Sequence, residues 1–497
     1  MIKNEYVKQT EFEVVTIEQL VPQNHVLRKV EKHYDFSFVR TRMEGLYCKD
    51  NGRPAVDPVM LFKMLFIGYM FGIRSERQLV KEIEVNVAYR WFLNMTLTDK
   101  VPHHSTISQN RIRRFDGTDV FRQLFNDVVF MACDKGFIEG RVLYTDSTHL
   151  KANANKKKFT RVIVEVNTKS YIDELNQAVN EDREKHGKKP FKPLDKAEPE
   201  TKENKVSRTD PDSGYFARPD KPEGFHYLDH RTCDDKHNLI TDVYVTPGNV
   251  SDNTVYLERL EHQIDNFDFA VEIVGLDSGY STQHIAKTLI DKNIDPVISY
   301  RKPGGAKGLF RRSKFSYNPE TDTYTCPGGQ VLPYSTTNRL GFKTYCSDPT
   351  ICSKCPKLSS CTTSKAHRKI IERHVWEVYQ ERAKSYRESE LGIHIKRRRS
   401  ETIERSFADA KQLHSYRYAR FRGLKRVEAQ CLMTAMVQNI KKMVNILEKR
   451  DKTGGDDDKR RKTLRSRIRF AVFEIMNRVL QVKFIDIRIS THFLLDY

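Results

Sequence analysis

Apolar residues recur at three-and-four spacing through "DPVMLFKMLFIGYMFGIRSERQLVKEIEVNVAYRWF" at 57–92, with one interruption at "GIRSER". The pattern predicts helices, with Ser75 placed to cap the second. "VPHHSTISQNRIRRF" follows, with Ser105 or Thr106 set before a short helix carrying Arg111, Arg113 and Arg114. That arrangement is like the second half of a helix-turn-helix unit. From residue 140 the period changes. "RVLYTD" is β-branched and aromatic, and it predicts a strand ending on Asp146. Residues 155–210, with "KKPFKPLDKAEPETKENK", are too polar and too broken by proline to build a core, and a mobile excursion is expected there.

"GFHYLDHRT" and "NLITDVYVTPG", joined through "CDDKHN", read as an antiparallel hairpin. In "SDNTVYLERLEHQI" Ser251 is the expected cap, with Val255, Leu257, Leu260 and Ile264 on or near one face. "VEIVGLD", "STQHIAKTLIDKN" and "DPVISY" give strand, helix, strand, the first strand ending on Asp277. Residues 301–375 break this order with glycines, prolines and cysteines. Helical spacing returns over 400–448, where Ile403 and Phe407 are expected to face inward and Glu404 and Lys411 to share another face.

Length and charge add the next constraint. A chain of 497 residues exceeds what one core serves, so more than one domain is expected. The net charge of +20 is spread over clusters at 156–158, 311–314, 396–399 and 459–462, which favours a polyanionic partner, nucleic acid. No stretch reaches ~18 uninterrupted apolar residues, and the first residues lack the apolar run of a signal peptide; a cytoplasmic protein without a membrane partner is expected. Five of the nine cysteines (Cys326, Cys346, Cys352, Cys355 and Cys361) crowd into one segment, which suits a metal site better than a disulfide framework.

Asp146 and Asp277 each close a strand, and neighbouring strands would bring both to the carboxyl edge of a sheet, where open α/β sheets keep their sites. Glu404 lies on the late helix, and Lys411 follows two turns on. Three converging carboxylates repel unless divalent cations lie between them, and hard ions such as Mg²⁺ prefer oxygen ligands. Two such ions suit water activation and leaving-group stabilisation at a phosphodiester.

The motifs "YTDSTHLKANANK", "PGNVSDN", "VGLDSGYST" and "RRRSETIERSFADAKQLHSYRYARFRGL" resemble those of the DDE transposases of bacterial insertion sequences, over about residues 20–445. The resemblance implies an α/β ribonuclease-H-like core, a mixed sheet flanked by helices, with an all-α N-terminal domain and a small Cys-rich insertion. It divides the chain into a helical DNA-binding domain at 1–135, a first part of the core at 136–303 and the Cys-rich insertion at 304–375. The final helical part of the core follows at 376–448, then a basic segment at 449–497.

It also implies that Asp146, Asp277 and Glu404 hold two Mg²⁺ or Mn²⁺ ions and that Lys411 holds a phosphate at the transposon end. Relatives carry an arginine four positions before the glutamate; here that position is Ser400, flanked by Arg397, Arg398 and Arg399. Arg417, Arg420 and Arg422 are expected on the DNA backbone, with Lys151, Lys156, Lys157 and Lys158 beside the cut. Inserts in relatives suggest Cys326, Cys352, Cys355 and Cys361 as a structural zinc set, with unligated thiols the alternative. His149 is expected to be the histidine nearest the site.

The activity so implied is binding of terminal inverted repeats, cleavage there and joining of 3′ ends to target DNA by a homodimer in the synaptic complex, in a bacterial cytosol at the nucleoid. A metal-dependent nuclease without strand transfer and an inactive, transposase-derived DNA-binding protein are the other readings.

Overall fold

The computed structural model describes residues 10–48, 55–165, 171–192, 201–218, 223–300 and 308–452. The basic cluster at 459–462, and the expected C-terminal segment beyond 452, lie outside them. The chain opens with helices. Ser75 caps Glu76–Val85 as its sequence predicts, but His103, and neither Ser105 nor Thr106, caps His104–Asn110, its ring accepting from the Ser105 amide at 3.3 Å. A wider turn, Arg111–Phe115, follows directly.

The sheet that positions the site is built on β1 (Val142–Lys151). β5 (Gly224–Asp234) runs antiparallel along its whole length, and β6 (Ile240–Pro247) returns against β5 as the expected hairpin. On the other side β7 (Ile273–Leu276) and β8 (Asp295–Ile298) run parallel to β1, joined through the helix Gln283–Asp291. The result is a mixed sheet ordered β6-β5-β1-β7-β8. β1 and β7 approach closely because residue 275 is glycine: a Cβ there would lie 2.6 Å from the Tyr144 ring.

Where a mobile excursion is expected, the described residues between 155 and 210 form regular elements. β2 (Phe159–Glu165) and β3 (Thr201–Ser207) pair along seven residues, β4 (Gly214–Phe216) joins them to the first residues of β5, and the helix Ile172–Lys185 lies between β2 and β3. Polar composition misleads here because a ribbon continuing an existing sheet satisfies its backbone bonds without a core of its own.

The helix Asp252–Phe267 starts after Ser251, whose side chain makes no capping bond, and it buries Tyr256, Leu260, Gln263 and Phe267. Of the four residues expected on its inner face, Leu260 alone is buried. The late helical region is three helices, Glu390–Glu401, Ile403–Leu413 and Leu424–Lys452. The last is a spine: one continuous apolar core runs from Leu27 to Val444 through the N-terminal helices and the sheet. Asn439 on this spine satisfies both backbone groups of Ile240 in β6, at 2.8 and 2.7 Å.

Candidate active site

The parallel register of β1 and β7 ends with Thr145 opposite Leu276, so the next residues of the two strands are Asp146 and Asp277. Asp146 does not end its strand, which continues to Lys151 on pairing with β5 alone; it stands where β7 stops. Asp277 is fixed by accepting the Gly279 amide at 2.7 Å. A Cβ on Gly279 would sit 3.0 Å from Asp277 Oδ1 and 3.8 Å from Asp252 Oδ2, so a fourth acid, from the "PGNVSDN" motif, flanks the same turn.

Strand alternation sends Asp146 and Thr148 to the face covered by the helix Ile403–Leu413. It sends His149 to the other face, where its ring packs 4.1 Å from Phe216. The expectation that His149 lies nearest the site is therefore wrong.

The chain breaks at Thr402, and Glu404 sits in the first turn of the next helix. Ile403 and Phe407 are buried as expected. Glu404, Phe407, Ala408 and Lys411 nevertheless line one open cleft of about 420 Å³ with Asp146, Thr148 and Arg417, so the acid and the lysine share their stripe with Phe407. Lys411 donates to Thr148 Oγ1 at 2.7 Å. Its burial, with Arg417 and Arg231 nearby, lowers its pKa. Arg399 donates to Asp146 at 2.5 Å and to Glu404 at 3.3 Å.

Asp146 has its carboxyl pushed up to about 6, chiefly by burial; Arg399 and the Ser147 amide draw it down, and the Asp277 and Asp252 charges raise it. Oxygen donors with a guanidinium already placed between two of them fit a hard divalent cation. The three expected ligands do not form a closed cage, however. Among the described residues the His, Cys, Asp and Glu groups whose ligand atoms lie within 4.8 Å of one another are His33, Glu448 and Asp451, and Asp182, His186 and Asp322. The second group already holds Lys343, paired with both acids.

Beneath the cleft lies a network that the sequence reading missed. Arg231, the β5 residue opposite Asp146, is wholly buried. It donates to Asp229 at 2.6 Å, to Gln438 at 2.9 Å and to Ser406 at 3.4 Å, and Tyr416 donates to Asp229 at 2.7 Å. The pair therefore ties β5 to the helix bearing Glu404 and to the spine. Its signal was present: two opposite charges at alternate positions of a strand buried at every residue.

The basic candidates divide by environment. Arg113, Lys156, Lys157, Lys158, Arg397 and Arg417 are exposed. Arg111 is paired with Glu76 and lies over Phe421, Arg114 bonds Asn110 and lies over Tyr47, and Arg398 bonds Asp235 and Glu401. Arg420 lies over Tyr69. Arg422 donates to the Asn153 carbonyl at 2.9 Å.

The cysteine segment forms two small three-stranded sheets. Cys326, Cys352, Cys355 and Cys361 line one cavity of about 40 Å³, and Cys346 is not among its lining residues. The Gly328 and Gln330 amides donate to Cys326 Sγ at 3.3 and 3.4 Å, an arrangement that stabilises a thiolate. Burial raises the Cys361 thiol, against the lowering effect of Lys369, and the other three thiols raise it further.

No curated protein matches the chain. Among solved structures it is similar to a Mos1 transposase paired-end complex with a left transposon end, at 11% identity and a TM-score of 0.16, over 50% of this chain and 61% of that one. It is also similar to a piggyBac transposase synaptic complex with hairpin DNA, at 10% identity and a TM-score of 0.30, over 89% and 84%. The chain thus spans about three fifths of the Mos1 chain's length, and likenesses this slight bear no weight on function. Family models are more informative. Residues 15–113 match a transposase domain (DUF772), and residues 325–444, which include Glu404 and Lys411, match a transposase DDE domain. One polypeptide therefore carries both a transposase domain and a transposase DDE domain.

Proposed function

We propose that the chain is the working transposase of a mobile element: it binds duplex DNA at terminal inverted repeats, cleaves phosphodiester bonds there and joins the freed 3′ ends to target DNA. One observation carries this reading. Asp146 and Asp277 each directly follow the last paired residues of β1 and β7, and Glu404 lines the same cleft as Asp146. The sheet β6-β5-β1-β7-β8 is read as the ribonuclease-H-like core.

Asp146, Asp277 and Glu404 would hold two Mg²⁺ or Mn²⁺ ions, which when bound activate water and stabilise the leaving 3′ oxygen. The chain's own residues do the positioning. Lys411, held over Thr148, offers its ammonium to the phosphate, and Arg417 at the cleft wall offers a second cation. Phosphoryl transfer of this kind is mainly positioning and charge stabilisation, and no covalent protein nucleophile is required. The exposed Lys156, Lys157, Lys158, Arg113 and Arg397 are assigned to the DNA backbone.

Cys326, Cys352, Cys355 and Cys361 are assigned to a structural zinc, because they share one cavity and Cys326 receives two amide bonds. Two ends must be handled together, so a homodimer is assigned to the synaptic complex. No described helix is long and apolar enough to cross a membrane, and the bacterial cytosol at the nucleoid is the proposed location.

The test incubates the chain with Mg²⁺, a duplex cut from the DNA flanking its coding sequence, and a target plasmid. Joined product is expected. Cleavage without joining would make it a nuclease, and binding with neither would make it an inactive DNA-binding derivative.

A further inference from the structure

Neither matched domain includes residues 155–210, and the fold gives the described ones among them a definite place. The β2–β3 ribbon leaves the sheet just beyond the end of β1. Arg208 is bonded back to Lys158 at 3.0 Å, and β4 ties the ribbon to the part of β5 opposite Lys151.

The helix between the two strands lands elsewhere. Tyr171 stacks on His284 at 4.0 Å, Glu174 pairs with Lys287 at 2.6 Å, and Leu175 and Val179 pack on Trp376. His284 and Lys287 belong to the helix that follows Asp277. One anchor thus lies on the β5 side of β1 and the other on the β7 side. The Asp146–Asp277 pair lies between them.

Adjacent residues of a strand face opposite ways, and Val162 and Ile163 are 42% and 72% exposed, so both faces of the ribbon are open. A two-stranded ribbon with no covered face is marginal in water, and this one is held at its two ends. Charge identifies what covers it. Residues 156–165 and 201–208 carry seven basic against two acidic residues. The connecting helix turns Asp173, Glu181 and Glu184 outward, so a polyanion is attracted to the ribbon and repelled from the helix.

We infer that the β2–β3 ribbon is a strap laid across duplex DNA beside the cleaved phosphate, with Arg161 and Ile163, which share one face of β2, on the backbone and against the groove. A two-stranded ribbon fits the major groove, and aliphatic side chains make apolar contacts there. The inference rests on the transposase reading and names a DNA contact that its triad and lysines do not include.

The test uses the full chain carrying Asp146→Asn, to prevent cleavage, with a duplex cut from the DNA flanking the coding sequence and an unrelated duplex. Adding Val162→Ser, on the opposite face, is expected to leave duplex affinity and its salt dependence unchanged, whereas adding Arg161→Gln and Ile163→Ser is expected to weaken binding of the flanking duplex about tenfold and to flatten the slope of log K against log salt by roughly 0.9. Hydroxyl-radical protection beside the cut is expected to vanish while the rest of the footprint and the unfolding midpoint are kept. If that variant misfolds, Arg161→Gln alone carries the test through the salt slope.

Unchanged affinity, slope and footprint would overturn the inference. So would loss of a dimer with the footprint intact, which would make a second copy the occupant. If the Asp146→Asn chain itself protects no duplex, the transposase reading fails and this inference falls with it.

Discussion

Arg399 joins Asp146 to Glu404, donating to the first at 2.5 Å and to the second at 3.3 Å across 253 residues of sequence between Arg399 and Asp146. The guanidinium bridges the two carboxylates to which a shared ion is assigned in the proposed function. On that proposal it competes with the ion in the DNA-free chain, and a charge-assisted bond of this kind contributes about 1.5–3 kcal/mol. Arg399→Gln is therefore expected to tighten Mn²⁺ binding to the DNA-free chain by about tenfold. Equal or weaker binding in a spin-resonance titration would show that Arg399 does not hold the ion's place.

Asp146 makes a second prediction, in pH. Burial lifts its folded-state pKa to about 6 from 3.8. Between those values the folded chain keeps a proton that the unfolded chain has released, so ionising Asp146 costs stability as pH rises through that window. Asp146→Asn is expected to stabilise the metal-free chain at pH 8 by about 1–3 kcal/mol, with the difference vanishing below pH 4. Denaturant titrations at several pH values measure it. Mg²⁺ should stabilise the parent and not the variant.

The buried pair under the site gives a third. Arg231 and Asp229 are fully enclosed, and removing either leaves the other charge unpaired. Arg231→Met or Asp229→Asn should each cost about 3–5 kcal/mol, and the double variant less than their sum. Because the pair holds the helix bearing Glu404, the double variant should lose Mn²⁺ affinity at temperatures where it is still folded. Parent-like Mn²⁺ affinity in the folded double variant would reduce the pair to a packing role.

What the sequence made legible follows from range. Asp146 and Asp277 could be read because each lies where an apolar run meets a charge, and Ser75 because a cap acts over three residues. His149 was misplaced because spacing along the chain was counted without the strand's alternation of faces. Arg399 on Asp146 and the Asp252 flank of Gly279 depend on register between distant segments, which no local pattern carries. The ribbon of 159–165 and 201–207 was hidden for a related reason: it is tied down by β4 and by the docking of its helix on Trp376, not by its own composition.

The cysteine segment carries the last prediction, since four thiols in one cavity and a fifth outside it make a discriminating set. Cys352→Ser removes a sulfur lining the cavity, whereas Cys346→Ser removes one that does not line it. About one zinc per chain is expected under reducing conditions for the parent and for Cys346→Ser, and none for Cys352→Ser. The helix Ile172–Lys185 is docked on this segment through His186 to Asp322 at 2.7 Å and Arg183 to the Thr337 carbonyl at 2.8 Å. Metal loss should therefore loosen the far anchor of the ribbon as well, and hydrogen exchange in 172–185 should rise with chelation. A zinc-free parent, or a Cys346→Ser chain that loses zinc with Cys352→Ser unaffected, would refute the assignment of Cys326, Cys352, Cys355 and Cys361.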